Sequence, residues 1–319
     1  MKILTLAALV LSLAAASLSH AQTYPAKSVR IIVGLAAGGT TDIFTRTLAQ
    51  RLTEAWGQTV IVENRPGASG MIGAEAVAKS APDGYTLLVS PQTSLAVAPA
   101  LYGKAPYDTM KDFAPVSLLG STPLVMIVHP SFPAKTFKDF IELARRQPLT
   151  YGSGGVGSSP HMTGELISAA LGVKMTHVPY KGENPAIADT IGGQIPIMFG
   201  NLPVALPHVR SGKVLALATT TAKRSPLAPE IPTMSEGGIK DFEMATWYGM
   251  LAPAGTPPAL VARIQRDAAR VLSDAETRER LTKMGVDLIL NTPEEFRTYL
   301  NSEIARYTKI IKANGLKAE

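Results

Sequence analysis

The chain has no cysteine among its 319 residues, so it carries neither a disulfide nor a lipid-anchor cysteine. An exported chain without disulfides must be held by its core alone. Charge is sparse as well: 31 basic and 25 acidic residues give a net of +6, with Arg145-Arg146 and Lys223-Arg224 the only basic doublets. A nucleic-acid binder shows a basic stripe, often with interleaved aromatics, and nothing of that kind is present; no nucleic-acid partner is expected. Beyond the first twenty residues or so, no apolar run reaches the ~20 residues needed to span a bilayer. There is no low-complexity tract and no repeat at the roughly 20–50 residue periods of solenoids.

The first 21 residues have a tripartite pattern of their own. Lys2 is a short positive region, Ile3 to Leu18 is apolar, and Ser19-His20-Ala21 is a small-x-small cleavage site. This reads as a secretory signal peptide over residues 1–21 rather than as a membrane anchor, because Ser19, His20 and Gln22 cut the apolar run short. Its removal leaves 30 basic against 25 acidic residues and a soluble chain in the periplasm of a Gram-negative cell. That length suggests two domains rather than one.

What fills the remainder is an alternation of apolar, β-branched runs with helical patterns, the mark of an α/β fold. Val29-Arg-Ile-Ile-Val33 reads as a buried strand. It stops at Gly34, passes Gly38-Gly39 and meets Thr40, Thr41 and Asp42, all good N-cap residues. Ile43, Leu48 and Leu52 then carry a helix to about Trp56, with Gly57 as its stop. Such a helix start offers unpaired amides and the positive end of a dipole, a place to hold an anion. Two more units repeat the device. In Tyr151-Gly-Ser-Gly-Gly-Val-Gly-Ser-Ser-Pro160-His161, Ser159 is the expected cap and Pro160 the first helical residue. In Pro179-Tyr-Lys-Gly-Glu-Asn-Pro-Ala186, the expected cap is Asn184. Three such starts suggest dipoles converging on one anion.

The apolar stretch Val116 to Val128, broken by Gly120-Ser-Thr-Pro123, reads as a crossover between domains, and Phe242 to Met250 as a return crossing. The expected division is a first lobe of residues 22–121 and 246–319 and a second of residues 122–245. Bilobed α/β folds bind ligands in the cleft between lobes, where closure excludes water.

Rival chemistries fit less well. Gly152-x-Gly154-x-x-Gly157 matches a dinucleotide fingerprint, but no acid stands about 20 residues on to hold a ribose. His161 and Glu165 share a helix face, yet two ligands do not make a zinc site. Ser158 and Ser159 beside His161 suggest a hydrolase, but the Gly-x-Ser-x-Gly elbow is missing and helix capping accounts for both serines. Asp42 reads as a loop organiser, since an unrestrained carboxylate there would repel an anion. Asp189, one turn into its helix, reads either as a ligand contact or as a cap to a neighbouring loop.

Several of these motifs, in order, resemble the receptors of tripartite tricarboxylate transporters, the Bug receptors. The likeness is carried by Tyr24-Pro-x-Lys27, Ala37-Gly-Gly-Thr-Thr-Asp42, Val62-Glu-Asn-Arg-Pro-Gly-Ala68 and Pro82-Asp-Gly-Tyr-Thr-Leu87. It continues through Tyr151 to Ser159, Val178-Pro-Tyr-Lys-Gly182 with Pro185-Ala186 and Asp189, and Gly192-Gly-Gln194. The resemblance implies a two-lobed type II periplasmic-binding-protein (Venus-flytrap) fold with two interlobe crossings. It implies a monomer without cofactor, metal or catalytic residue. Such a receptor closes on a small mono- or dicarboxylate and delivers it to the membrane subunits of a transporter; the alternative is a co-receptor that signals to a membrane sensor. The implied ligand-binding residues are Leu35, Ala36, Gly38, Gly39, Thr40, Asp42, Ser90, Gln92, Ser158, Ser159, His161, Ala186, Asp189 and Asn201. Three positions depart from the family pattern. Leu35 stands where an aromatic is common, Ala37 where a proline is, and Gly200-Asn201 where many members have an acid after the phenylalanine.

Overall fold

A computed structural model describes residues 24–316, so the expected signal peptide at residues 1–21 lies outside the described residues. The chain runs β1 (Val29–Val33), α1 (Thr40–Trp56), β2 (Val60–Asn64), α2 (Met71–Ala78), β3 (Thr86–Pro91), α3 (Ala98–Tyr102) and the long β4 (Phe113–Val128). Then come α4 (Phe137–Arg146), β5 (Leu149–Ser153), α5 (Ser159–Leu171), β6 (Met175–Pro179), α6 (Glu183–Ile191), β7 (Ile197–Asn201), α7 (Leu202–Arg210) and β8 (Leu215–Thr219). β9 (Ala245–Pro253), α8 (Pro258–Ser273), α9 (Ala275–Lys283), β10 (Asp287–Leu288) and α10 (Pro293–Ala313) complete it.

Strand order is β2-β1-β3-β9-β4-β7-β5-β6. β1 pairs in parallel with β2 and β3, and β9 runs antiparallel to β3 and β4. At the other end β5 is parallel to both β6 and β7. The two ends meet along β4, which is continuous where the sequence suggested an interruption. Its residues up to Pro123 pair with β9, whereas Leu124 to Val128 pair with β7 on one edge and β8 on the other. The Gly120–Pro123 segment therefore marks a change of partners within one strand. Thr220 fastens this point, its hydroxyl reaching the Leu124 and Met244 carbonyls.

Burial follows from covering both faces of the parallel strands. Val29 and Ile31 pack with Phe44, Leu48 and Leu52 of α1 and with Tyr248 and Met250 of β9. Of the expected helix face, Leu48 and Leu52 are buried, but Ile43 is 39% exposed and Phe44 takes its core position, stacked on Tyr248 at 5.5 Å. Phe44, Leu48 and Leu52 keep the i, i+4, i+8 stripe. At the opposite end, Val125, Ile127, Ile187, Met198 and Leu202 form a separate core.

Where β1 ends, backbones touch. A Cβ on Gly73 would lie 2.7 Å from Gly34 Cα and 3.1 Å from the Arg65 carbonyl, and a Cβ on Gly34 would lie 2.6 Å from the Gly70 carbonyl. Alanine in a helix interior ordinarily gains up to ~1 kcal/mol over glycine, but here the added carbon meets backbone and overpacking costs about 1–3 kcal/mol. Gly73→Ala is therefore expected to lower the melting temperature, contrary to its helix propensity; a melt unchanged or raised would show that the contact yields.

Candidate functional site

The first candidate loop is exposed from Ala36 to Gly39 and is held by a ring of polar contacts. Gly38, at φ 83°, turns its N–H onto Asp42 Oδ2 at 2.9 Å. The same oxygen accepts from Arg46 Nε at 3.0 Å; Arg46 reaches Asn64 Oδ1 at 2.9 Å, and Asn64 Nδ2 donates to the Leu35 carbonyl at 3.0 Å. Burial opposes ionisation of Asp42, but the donors from Arg46, Gly38 and Asn64 outweigh it and hold the carboxyl below its usual range. Asp42 thus organises the loop from beneath. Arg46 and Asn64, which close the ring, went unnoticed in the sequence because their pairing spans 18 positions and two elements.

All three helix starts differ from the expected caps by one or two residues. α1 is capped by Gly39, not by Thr40, Thr41 or Asp42, and no side chain bonds its first amides. α5 is capped by Ser158, whose hydroxyl accepts the His161 N–H at 3.3 Å, which leaves Ser159 as the first helical residue. α6 is capped by Gly182 at φ 113°, not by Asn184, again without a side-chain bond. The second and third loops are laced together, Tyr180 N–H to the Ser153 carbonyl at 3.0 Å and Gly182 N–H to the Gly154 carbonyl at 3.1 Å.

Tyr248, stacked on Phe44 of α1, donates its buried hydroxyl to Thr122 Oγ1 at 3.0 Å. Burial raises the Tyr248 pKa, the charge of Glu183 raises it further, and hydrogen bonding with Thr122 and Thr40 works the other way. Thr40 at the start of α1 and Glu183 at the start of α6 therefore both bear on one hydroxyl from opposite sides of the fold.

Other candidates are occupied by protein partners. Gln92 is fully buried, with Nε2 donating to Ser159 Oγ at 2.7 Å and to the Ala245 carbonyl at 2.9 Å, while Oε1 accepts the Trp247 N–H at 2.9 Å. Ser159 is itself 2% exposed. These two bond each other across the junction of the sheet's halves. Ser90 is buried against Ser94. Ala186 has its methyl in the core, leaving only its backbone to offer. Asp189 Oδ2 accepts the Tyr180 hydroxyl at 2.7 Å, the loop-bracing alternative of its two sequence readings. His161 is 6% exposed, and its Nδ1 accepts the Gly157 N–H at 3.0 Å. Burial lowers its pKa to about 4, so the ring is neutral at pH 7. Its ring hydrogen-bonds neither Ser158 nor Ser159, and among the described residues no three His, Cys, Asp or Glu cluster as a metal site.

Glu183 is the site residue that sequence reasoning passed over. Its Oε1 accepts from Asn201 Nδ2 at 2.6 Å and from the Asn201 N–H at 3.3 Å. It keeps part of its surface open yet is enclosed by protein on most sides, and this burial pushes its pKa up to about 7 despite the Asn201 donors. The available signal was an acid set directly after the helix-starting glycine, Gly182-Glu183.

Two sheet-bearing lobes sharing long strands, with open helix starts at their junction, define the two-lobed fold of periplasmic solute-binding proteins. Residues 44–316 match the tripartite tricarboxylate transporter family receptor, and the chain belongs to that family. Protein BugT of Bordetella pertussis is 36% identical over 300 residues, covering 93% of this chain and 92% of that protein. Among solved structures, an R. palustris protein with adipate superposes with TM-score 0.86 at 35% identity, over 92% of this chain and 99% of its own. MatC from Rhodopseudomonas palustris with bound malate gives 0.82 at 32%, over 90% of this chain and all of its own. The chain is a solute-binding receptor of this family.

Proposed function

We propose that the protein is a periplasmic receptor that captures a small carboxylate between its lobes and delivers it to the membrane subunits of a tripartite tricarboxylate-type transporter. The lobes are residues 22–121 with 246–319, and residues 122–245. The observation that carries this reading is the pair of glycine-capped starts of α1 and α6, neither capped by a side chain. Unpaired amides at the positive end of a helix dipole favour an anion by roughly 0.3–1 kcal/mol each and hold it without a cationic side chain. The ligand's carboxylate sits on the loop from Leu35 to Thr40, with Ser158 and the α6 start closing on it. Adipate and malate in the two R. palustris relatives support a carboxylate. Among the described residues no helix is long and apolar enough to cross a membrane, which agrees with a receptor that meets its transporter from outside.

A matching carboxylate should raise the melting temperature, and its neutral amide should not. At 100 times the dissociation constant the gain is ~2.7 kcal/mol, or roughly 5–10 °C for a chain of this size. Thermal melts over a carboxylate panel, with native mass spectrometry for a co-purified ligand, make the test. No shift from any member and no bound ligand would overturn the reading.

A further inference from the structure

We propose that Glu183 and Asn201 form the selective end of the binding site, an acceptor pair that favours carboxylates bearing a hydrogen-bond donor at their opposite end and disfavours dicarboxylates. This rests on the receptor reading above and narrows its ligand class.

With Glu183 ionised, above its raised pKa, the pair presents acceptors only. Glu183 Oε1 is taken by Asn201, while no protein donor among the described residues reaches Oε2 and no Lys, Arg or His forms an ion pair with this carboxyl. Asn201 is 7% exposed, and its Nδ2 is spent on Glu183. Its Oδ1 is buried without any partner. Buried acceptors are almost always paired, and leaving one unmade carries the full desolvation penalty. The missing complement is therefore a donor, which the far end of a ligand can bring. Both side chains are held by their neighbours: Glu183 lies against Gly154, where an added Cβ would come within 3.3 Å of its Cγ, and Asn201 is the N-cap of α7 with its amide bonded to Glu183.

Charge decides between ligand classes. A ligand anchored by one carboxylate on the α1 loop and ending in a second carboxylate would set like charges together in an enclosed space. A terminal hydroxyl would donate to Glu183 or Asn201, and a terminal ammonium would donate to both while neutralising the carboxylate. Burial raises the Glu183 proton affinity, as expected for an acid awaiting a partner. A site that hydrogen-bonds a ligand group rejects the analogue lacking it far more strongly than an apolar pocket rejects a missing methylene.

Calorimetry at about pH 8.5, where Glu183 is ionised and an aliphatic amine is still protonated, tests this: succinate against γ-hydroxybutyrate and γ-aminobutyrate, and adipate against ε-hydroxycaproate and ε-aminocaproate. Within a length that binds, the donor-bearing member should bind roughly tenfold or more tightly than the dicarboxylate. In Glu183→Gln, which keeps size and the Asn201 contact while removing charge, that ratio should shrink roughly tenfold. Glu183→Ser, with a melt like that of the parent chain, should shrink it too and covers the case in which the glutamine variant fails to fold. Equal binding of both classes to the parent, or an unchanged ratio in the variants, overturns the inference and leaves the receptor reading standing. Binding by none of the six probes overturns the inference, and the thermal panel with native mass spectrometry decides the receptor reading separately.

Discussion

Gln92→Ala is expected to be among the most damaging single substitutions in the chain. Its amide is fully buried and makes three good hydrogen bonds, to Ser159 Oγ, the Ala245 carbonyl and the Trp247 N–H. Truncation strands those three groups where water has no ready access, at about 1–3 kcal/mol for each buried polar group left unmade, and opens a cavity. A total of about 3–5 kcal/mol is reasonable, allowing that a water can enter the vacated space. For a chain of this size that is a fall of roughly 8–15 °C. Gln92→Glu separates hydrogen bonding from volume, because it sets an oxygen against the Ala245 carbonyl, obliges the Ser159 hydroxyl to turn and donate, and buries a charge without a cation. It should melt nearly as low as the alanine variant. A glutamate variant that melts like the parent chain would mean that Gln92 merely fills space.

The position of Gln92 gives that loss a functional edge. It ties β3 and β9 on one side of the junction to the first residue of α5 on the other. A second tie, Ser69 Oγ to the Val156 carbonyl at 3.2 Å, acts on the same side. With the Gln92 tie broken, ligand closure must supply order that the protein otherwise provides, so affinity should fall along with stability.

Local chemistry made much of the fold readable. α4 is capped by Thr136 in a reciprocal capping box with Asp139, the side-chain pairing its sequence spells. The α1 stop at Gly57 is a left-handed glycine, as expected. The helix starts of the candidate site were less readable for one physical reason. Where a serine, threonine or asparagine stands near a glycine, capping preference names the polar side chain, but a site that offers bare amides uses the glycine. Gly39 and Gly182 are such cases. The contacts that define the site's chemistry were hidden further. Glu183 meets Asn201 across 18 residues, Arg46 meets Asn64 across another 18, and no periodicity encodes either pairing. The departure noticed at Gly200-Asn201 and the acid at Glu183 turn out to be one feature, seen in the sequence as two unrelated positions.

Acid should destabilise the protein through a pair of rings that the sequence showed as separate histidines. His161 on α5 and His177 on β6 stack at 4.0 Å between centroids with 24° between planes, and Tyr151 stacks on the far side of His177 at 5.1 Å. Burial lowers the pKa of His161 to about 4; burial and the neighbouring His161 lower that of His177 to about 3. Both values lie below the ~6.5 of an unfolded histidine. The unfolded chain therefore binds more protons as pH falls, and stability is full above about pH 6.5 and declines below it. At about pH 4.5 the loss approaches roughly 5 kcal/mol for the pair. Glu183 works the other way, because its raised pKa makes protonation below about 7 favour the folded state, so melts near pH 7.5 and 4.5 should differ by roughly 5 °C, the acid sample lower. His177→Phe keeps an aromatic ring in the stack and removes one titrating site, so its acid loss should be clearly smaller than that of the parent chain, even if its neutral melt is lower through loss of the Ser153 hydroxyl contact. An equal acid loss in both would assign the effect to carboxylates elsewhere. The consequence reaches the binding site directly. Protonation of His161 at Nδ1 removes the acceptor that holds the Gly157 N–H, and the Gly154–Ser158 loop that starts α5 and packs against Glu183 loses its anchor.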